Sequence, residues 1–130
     1  MNRSFRPIRT FATAGVLAVL SACAMMMPAA PAKVADGILT NSAGMTLYTF
    51  DRDAVGSGKS ACNGACAALW PALMVAGDAK ASGDWSLVTR DDGSRQWAYK
   101  GKALYLWSKD QKPGDKTGDG FNKVWRVATE

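Results

Sequence analysis

The sequence predicts a mostly β protein: a small antiparallel β domain built from two related repeats, with one short helix and a disulfide. Three observations predict it. Short runs rich in β-branched and aromatic residues alternate with turn residues throughout the second two thirds of the chain. The stretch LYTFDRD (Leu47–Asp53) returns as LYLWSKD (Leu104–Asp110). Two cysteines, Cys62 and Cys66, stand together in CNGAC, and the chain holds only one other.

The elements follow in order from about Val34. Gly37–Thr40 and Met45–Phe50 flank Asn41-Ser42-Ala43-Gly44, a hairpin turn by composition. Ala65–Trp70 reads as a short helix stopped by Pro71, which can neither donate an N–H nor leave the preceding residue helical. Trp85–Thr89 and Gln96–Tyr99 flank Asp91-Asp92-Gly93-Ser94, a second hairpin. Lys100-Gly101-Lys102 turns the chain into Ala103–Trp107, Asp110–Gly120 is a glycine-rich loop, and Val124–Ala128 is a last strand. No long amphipathic helix and no alternating strand–helix pattern is present.

Shifting the chain by fifty-seven residues superimposes Gly44 on Gly101, Leu47 on Leu104, Tyr48 on Tyr105, Phe50 on Trp107 and Asp53 on Asp110. Strand alternation gives this order a structural meaning. Tyr48 and Phe50 share one face and Leu47 the other; Tyr105 and Trp107 do the same against Leu104 and Leu106. Each aspartate closes its strand, where a carboxylate accepts loop N–H groups or a tyrosine O–H. One such unit leaves an aromatic face wet, and two units cover each other. The repeats span about 34–72 and 85–130 of a single domain, 34–130.

The N-terminus differs in composition. Arg3, Arg6 and Arg9 precede the apolar run Phe11–Leu20, the form of a secretory signal and about half the roughly 20 residues that span a bilayer. Leu20-Ser21-Ala22-Cys23 resembles the bacterial lipobox, which is cut before a cysteine that then carries diacylglycerol. That resemblance implies a signal peptide over 1–22, a lipid on Cys23 and a tether over 23–33, about 30 Å if extended. An anchor of two or more acyl chains holds stably to a membrane. Ala24, in place of an aspartate, points to the outer membrane, facing the periplasm, if the cell is Gram-negative. Met25–Met27 beside a lipid are expected at the membrane surface rather than on copper. Removing the signal takes three of sixteen basic residues and none of eleven acidic ones, so the mature chain carries thirteen against eleven, +2 rather than +5. Nucleic acid is therefore not an expected partner.

With Cys23 lipidated, Cys62 and Cys66 in an oxidising envelope read as a disulfide. Their spacing is neither C-x-x-C nor the haem-attaching C-x-x-C-H. It closes a five-residue loop, for which the chain-entropy relation gives about 2 kcal/mol. The chain has no histidine, and its single glutamate is Glu130. No serine elbow is present, and Asp91-Asp92 read as turn formers, so an enzyme is not expected. The other Lys and Arg residues are dispersed and read as solvated surface. Asp110, Asp115 and Asp119 lie among glycines and are weak candidates for Ca²⁺, without the order of an EF-hand. Five tryptophans in so small a domain are chiefly core, with Trp85 and Trp97, nearest the hairpin turns, the better candidates for a glycan-facing surface.

GMTLYTFDRD, CNGACAALWPAL, RDDGSRQWAYKGKALYLWSKD and GDKTGDGFNKVW together resemble the bacterial lipoproteins defined by a Y-x-(F/W/Y)-x-x-D motif, also described as a secreted repeat of unknown function. The motif residues are Tyr48, Phe50, Asp53, Tyr105, Trp107 and Asp110. The resemblance covers roughly Val34–Val127 and implies an exported lipoprotein with a duplicated fold. Members often place a histidine after the last tryptophan, where this chain has Arg126, so no role of that histidine carries over. The expectation is a membrane-anchored, non-catalytic module of the cell envelope, without cofactor, that binds envelope protein or glycan or supports envelope structure. The alternative is a redox- or metal-linked accessory protein of the periplasm, acting through Cys62 and Cys66 or the aspartate loop.

Overall fold

A computed structural model describes residues 31–130. The signal peptide, Cys23 and Met25–Met27 lie outside the described residues. The elements run β1 (Lys33–Ala35), β2 (Ile38–Thr40), β3 (Tyr48–Phe50), α1 (Ala65–Leu69), β4 (Trp85–Thr89), β5 (Arg95–Tyr99), β6 (Lys102–Ala103), a 3₁₀ turn (Phe121–Lys123) and β7 (Trp125–Val127). All strand pairs are antiparallel: β1 with β2, β3 with β7, and β4 with β5 with β6. The expected fold is thus the observed one. Lys33 already pairs with Thr40 and Ala32 is buried, so the fold takes in the end of the stretch read as tether.

The two repeats exchange their last strands. In the first, Leu47 N–H donates to Leu39 O, and Ala128, from the end of the second repeat, closes the triangle: its N–H donates to Leu47 O and its carbonyl accepts from Leu39 N–H. In the second, Leu104 N–H donates to Trp97 O, and Leu73, from the end of the first repeat, donates to Leu104 O and accepts from Trp97 N–H. Neither repeat has a complete set of backbone partners without the other. Tyr48 and Tyr105 sit at the centre of this relation, each donating its N–H to the other's carbonyl at 2.8 and 2.9 Å.

Alternation then sorts the side chains into two cores. Leu47 and Leu104 point to one side, with Leu39, Ala32 and Ala128. Tyr48, Tyr105 and Trp107 point to the other, with Trp70, Trp125, Val88 and Cys62. The aromatic core contains a stack of four rings in the order Phe50, Trp125, Trp70, Trp107, with centroids 4.2, 3.8 and 4.1 Å apart. Phe50 and Trp107 are repeat equivalents, as are Trp125 and Trp70, so the stack reads the same from either end. Gly118 passes against it: a Cβ there would meet the Trp70 ring at 2.6 Å and the Trp107 ring at 3.0 Å.

The helix starts where Cys62 and Cys66 are bonded, with their Cα atoms 5.2 Å apart, and ends as Trp70 becomes extended before Pro71. Two sequence readings are corrected. Trp97 is not a surface residue: it is 8 % exposed, because β5 is the middle strand of its sheet and Leu73 and Trp85 flank it. Nor are all the cations solvated. Arg90 is 7 % exposed.

Candidate functional site

The motif residues meet across the repeats rather than within them. Tyr48 Oη–H donates to Asp110 Oδ2 at 2.6 Å, and Tyr105 Oη–H donates to Asp53 Oδ2. The other oxygen of each aspartate takes loop N–H groups. Thr117 donates from both its N–H and its hydroxyl to Asp110 Oδ1, at 3.0 and 2.6 Å, and Ala61 N–H donates to Asp53 Oδ1 at 2.7 Å. Each phenol also has a neighbour from the partner loop: Gly118 N–H at 3.3 Å from Tyr48 Oη, and Ser60 Oγ at 2.6 Å from Tyr105 Oη. Ser60 and Thr117 are again fifty-seven residues apart, but Ser60 bonds the phenol and Thr117 the carboxylate.

Both phenols are held neutral. Burial pushes their pKa values well above the ordinary 10, and the carboxylate beside each pushes in the same direction. Asp53 is raised as well: its burial outweighs the lowering effect of the Tyr105 O–H, the Ala61 N–H and the charge of Arg90.

The halves differ in what lies behind the pair. Arg90 reaches under the disulfide loop. Its guanidinium donates to Ser60 Oγ at 3.1 Å, Gln96 Oε1 at 2.7 Å, Cys62 O at 2.5 Å and Asn63 Oδ1 at 3.4 Å. Gln96, fully buried, passes the chain on by donating to Leu104 O at 2.7 Å. A buried guanidinium is tolerated only when its donors are satisfied, and here backbone and amide oxygens satisfy them. Sequence reasoning missed Arg90 and Gln96, since neither residue type carries a burial signal.

The three calcium candidates each make local contacts. Asp110 is engaged by Tyr48 and Thr117, Asp115 by the N–H groups of Gln111 and Lys112, and Asp119 by Val127 N–H. The Gln111 N–H, then Lys112, hold the Asp115 carboxyl below the usual range. Among the described residues no three His, Cys, Asp or Glu side chains converge as metal ligands. Asp92 caps its own turn, and its bonds to the Ser94 hydroxyl and N–H lower its pKa. Cys62 is fully buried and Cys66 half-buried. Among the described residues no helix is long and apolar enough to cross a membrane.

No curated protein and no solved structure matches the chain. A family model does match, twice, over residues 31–74 and 86–129. Those bounds enclose the two units seen here, each ending in the strand it lends to the other, and the chain belongs to the family described as a secreted repeat of unknown function.

Proposed function

We propose that this exported protein is a lipoprotein, held to the membrane through Cys23, whose β domain is a non-catalytic binding or structural module of the cell envelope. The observation that carries the non-catalytic part is the reciprocal pairing of Tyr48 with Asp110 and Tyr105 with Asp53. The motif's ionisable groups are bound to each other and to loop amides inside the domain, which is a structural use of them. The absence of histidine from the chain supports the same reading. The anchor rests on Leu20-Ser21-Ala22-Cys23 placed directly after the apolar run. Expected partners are the membrane, through the lipid, and an envelope protein or glycan.

Fractionation tests the anchor. Cys23→Ser is expected to move the protein from the membrane to the soluble envelope fraction, and an unchanged distribution refutes lipidation. For the domain, a pull-down from envelope extract with the intact chain is expected to retain a partner that Arg90→Ala, which unlocks the loop over the disulfide, holds less well. A protein that retains nothing from extract leaves the structural role alone.

A further inference from the structure

The two halves share a core but not an edge. In the second repeat seven residues, Thr89–Arg95, separate Val88 from Gln96; in the first, only Asp36 and Gly37 separate the equivalent Ala35 and Ile38. The long hairpin end lies on the first repeat's loop. Thr89 N–H donates to Gly58 O at 3.2 Å, and Arg90 enters beneath Ser60 and Cys62. A second contact seals that half: Gly56 N–H donates to Gly101 O at 2.8 Å, so close that a Cβ on Gly101 would lie 2.9 Å from Gly56 N.

In the other half the hairpin cover is missing, and the second contact is only a van der Waals one, Pro113 lying so close to Gly44 that a Cβ there would sit 3.3 Å from the proline Cβ. The residue equivalent to Gly101 is Gly44, and the one equivalent to Gly56 is Pro113, which has no N–H to donate. The Asp36-Gly37 turn is too short to reach across. What remains is a cleft of about 390 Å³ between the first hairpin and the loop 110–120. Ala35, Ile38 and Pro113 make it apolar, the buried Thr40 and Thr46 add hydroxyls, and Asp36 and Lys116 are its charged, exposed members.

We propose that this cleft is a docking site for an extended peptide segment of a partner protein, carrying a basic residue where the strand turns. The molecule itself supplies the template, because its own hairpin end fills the equivalent place in the opposite half with an extended backbone and an arginine. Asp36, exposed at the rim of the cleft, is the carboxylate such a basic side chain would meet. The backbone bonds strand edge to loop carbonyl, as in peptide recognition by strand addition, and the basic side chain selects.

This inference rests on the reading of the domain as a binding module. The probe is the protein's own hairpin sequence, LVTRDDGSRQW, added to ¹⁵N-labelled full chain carrying Cys23→Ser. Saturable amide shifts centred on Ile38, Thr40, Thr46 and Lys116 are expected, with affinity falling about tenfold or more when the first arginine of the peptide is alanine. No shifts at millimolar peptide, or shifts centred elsewhere, overturn the proposal. Two variants close the cleft by different means: Ala35→Trp, and replacement of Asp36-Gly37 by the longer TRDDGSR. Loss of peptide binding in whichever keeps its normal melting temperature supports the site, and retained binding in that variant overturns it. A pull-down that still captures an envelope partner while the cleft binds no peptide defeats the site alone; failure of both defeats the binding reading.

Discussion

Tyr48 and Tyr105 each bind, through the phenol, the aspartate that closes the other repeat's motif. Their hydroxyls are the buried donors to two carboxylates, so Tyr→Phe leaves each aspartate short of a partner in a dry setting. Removing a hydrogen bond to a charged group costs about 1.5–3 kcal/mol. Tyr105→Phe is expected at the upper end of that range and Tyr48→Phe lower, because Arg90, Ser60 and Gln96 are all linked behind Tyr105; urea midpoints of the two variants check the order. The sign of the pH dependence follows from the raised tyrosine values. Stability is intact below the unfolded pKa of about 10 and is lost as pH rises through the folded values. Phenolate absorbance from these two residues should therefore appear together with loss of circular dichroism, and a phenolate signal in a still-folded protein would contradict it. Asp53, also raised, adds stability at acid pH that declines as pH passes above its ordinary 3.8, the reverse of a salt-bridged carboxylate. At the stack, Gly118→Ala forces a methyl against Trp70 and is expected to cost about 1–3 kcal/mol in thermal or denaturant melts.

The elements were largely legible in the chain. Period-two alternation separated Leu47 and Leu104 from Tyr48 and Tyr105, and the two cores have that division. Turn chemistry located the β4–β5 hairpin and the Asn41–Gly44 turn, and Pro71 the end of α1, but β2 pairs with β1 across Asp36-Gly37, which the sequence reading did not contain, and β3 pairs with β7. Pairing between elements was not legible, because a tyrosine that bonds its own repeat's aspartate and one that bonds the other's leave the same spacing. Trp97 was misplaced for a related reason: closeness to a turn says nothing about which strand lies in the middle of a sheet. Arg90 was missed because its burial depends on a loop thirty residues away. The disulfide belongs to this scale as well. Cys62 is fully buried under Arg90, so thiol labelling after mild reductant is expected to stay negative until the domain unfolds. Labelling of the folded protein would revive the redox alternative. Cys62→Ala with Cys66→Ala should cost about 2 kcal/mol without changing the fold.

As a whole, the molecule is two copies of one unit that cannot close alone. Residues 31–80 and 81–130 expressed separately are expected to be unfolded by near-ultraviolet circular dichroism and to regain the tryptophan signal on mixing. A folded lone half would show that the exchanged strands, Leu73 and Ala128 among them, are dispensable. The ring stack that reads the same from either end has a historical consequence. A single ancestral unit could have assembled as a symmetric homodimer through the same four rings, at a concentration-dependent cost that covalent fusion abolishes. Fusion also released the halves from identity. While both came from one gene, an arginine or a lengthened hairpin would have altered both ends at once; after duplication, one end could acquire Arg90 and close while the other stayed open.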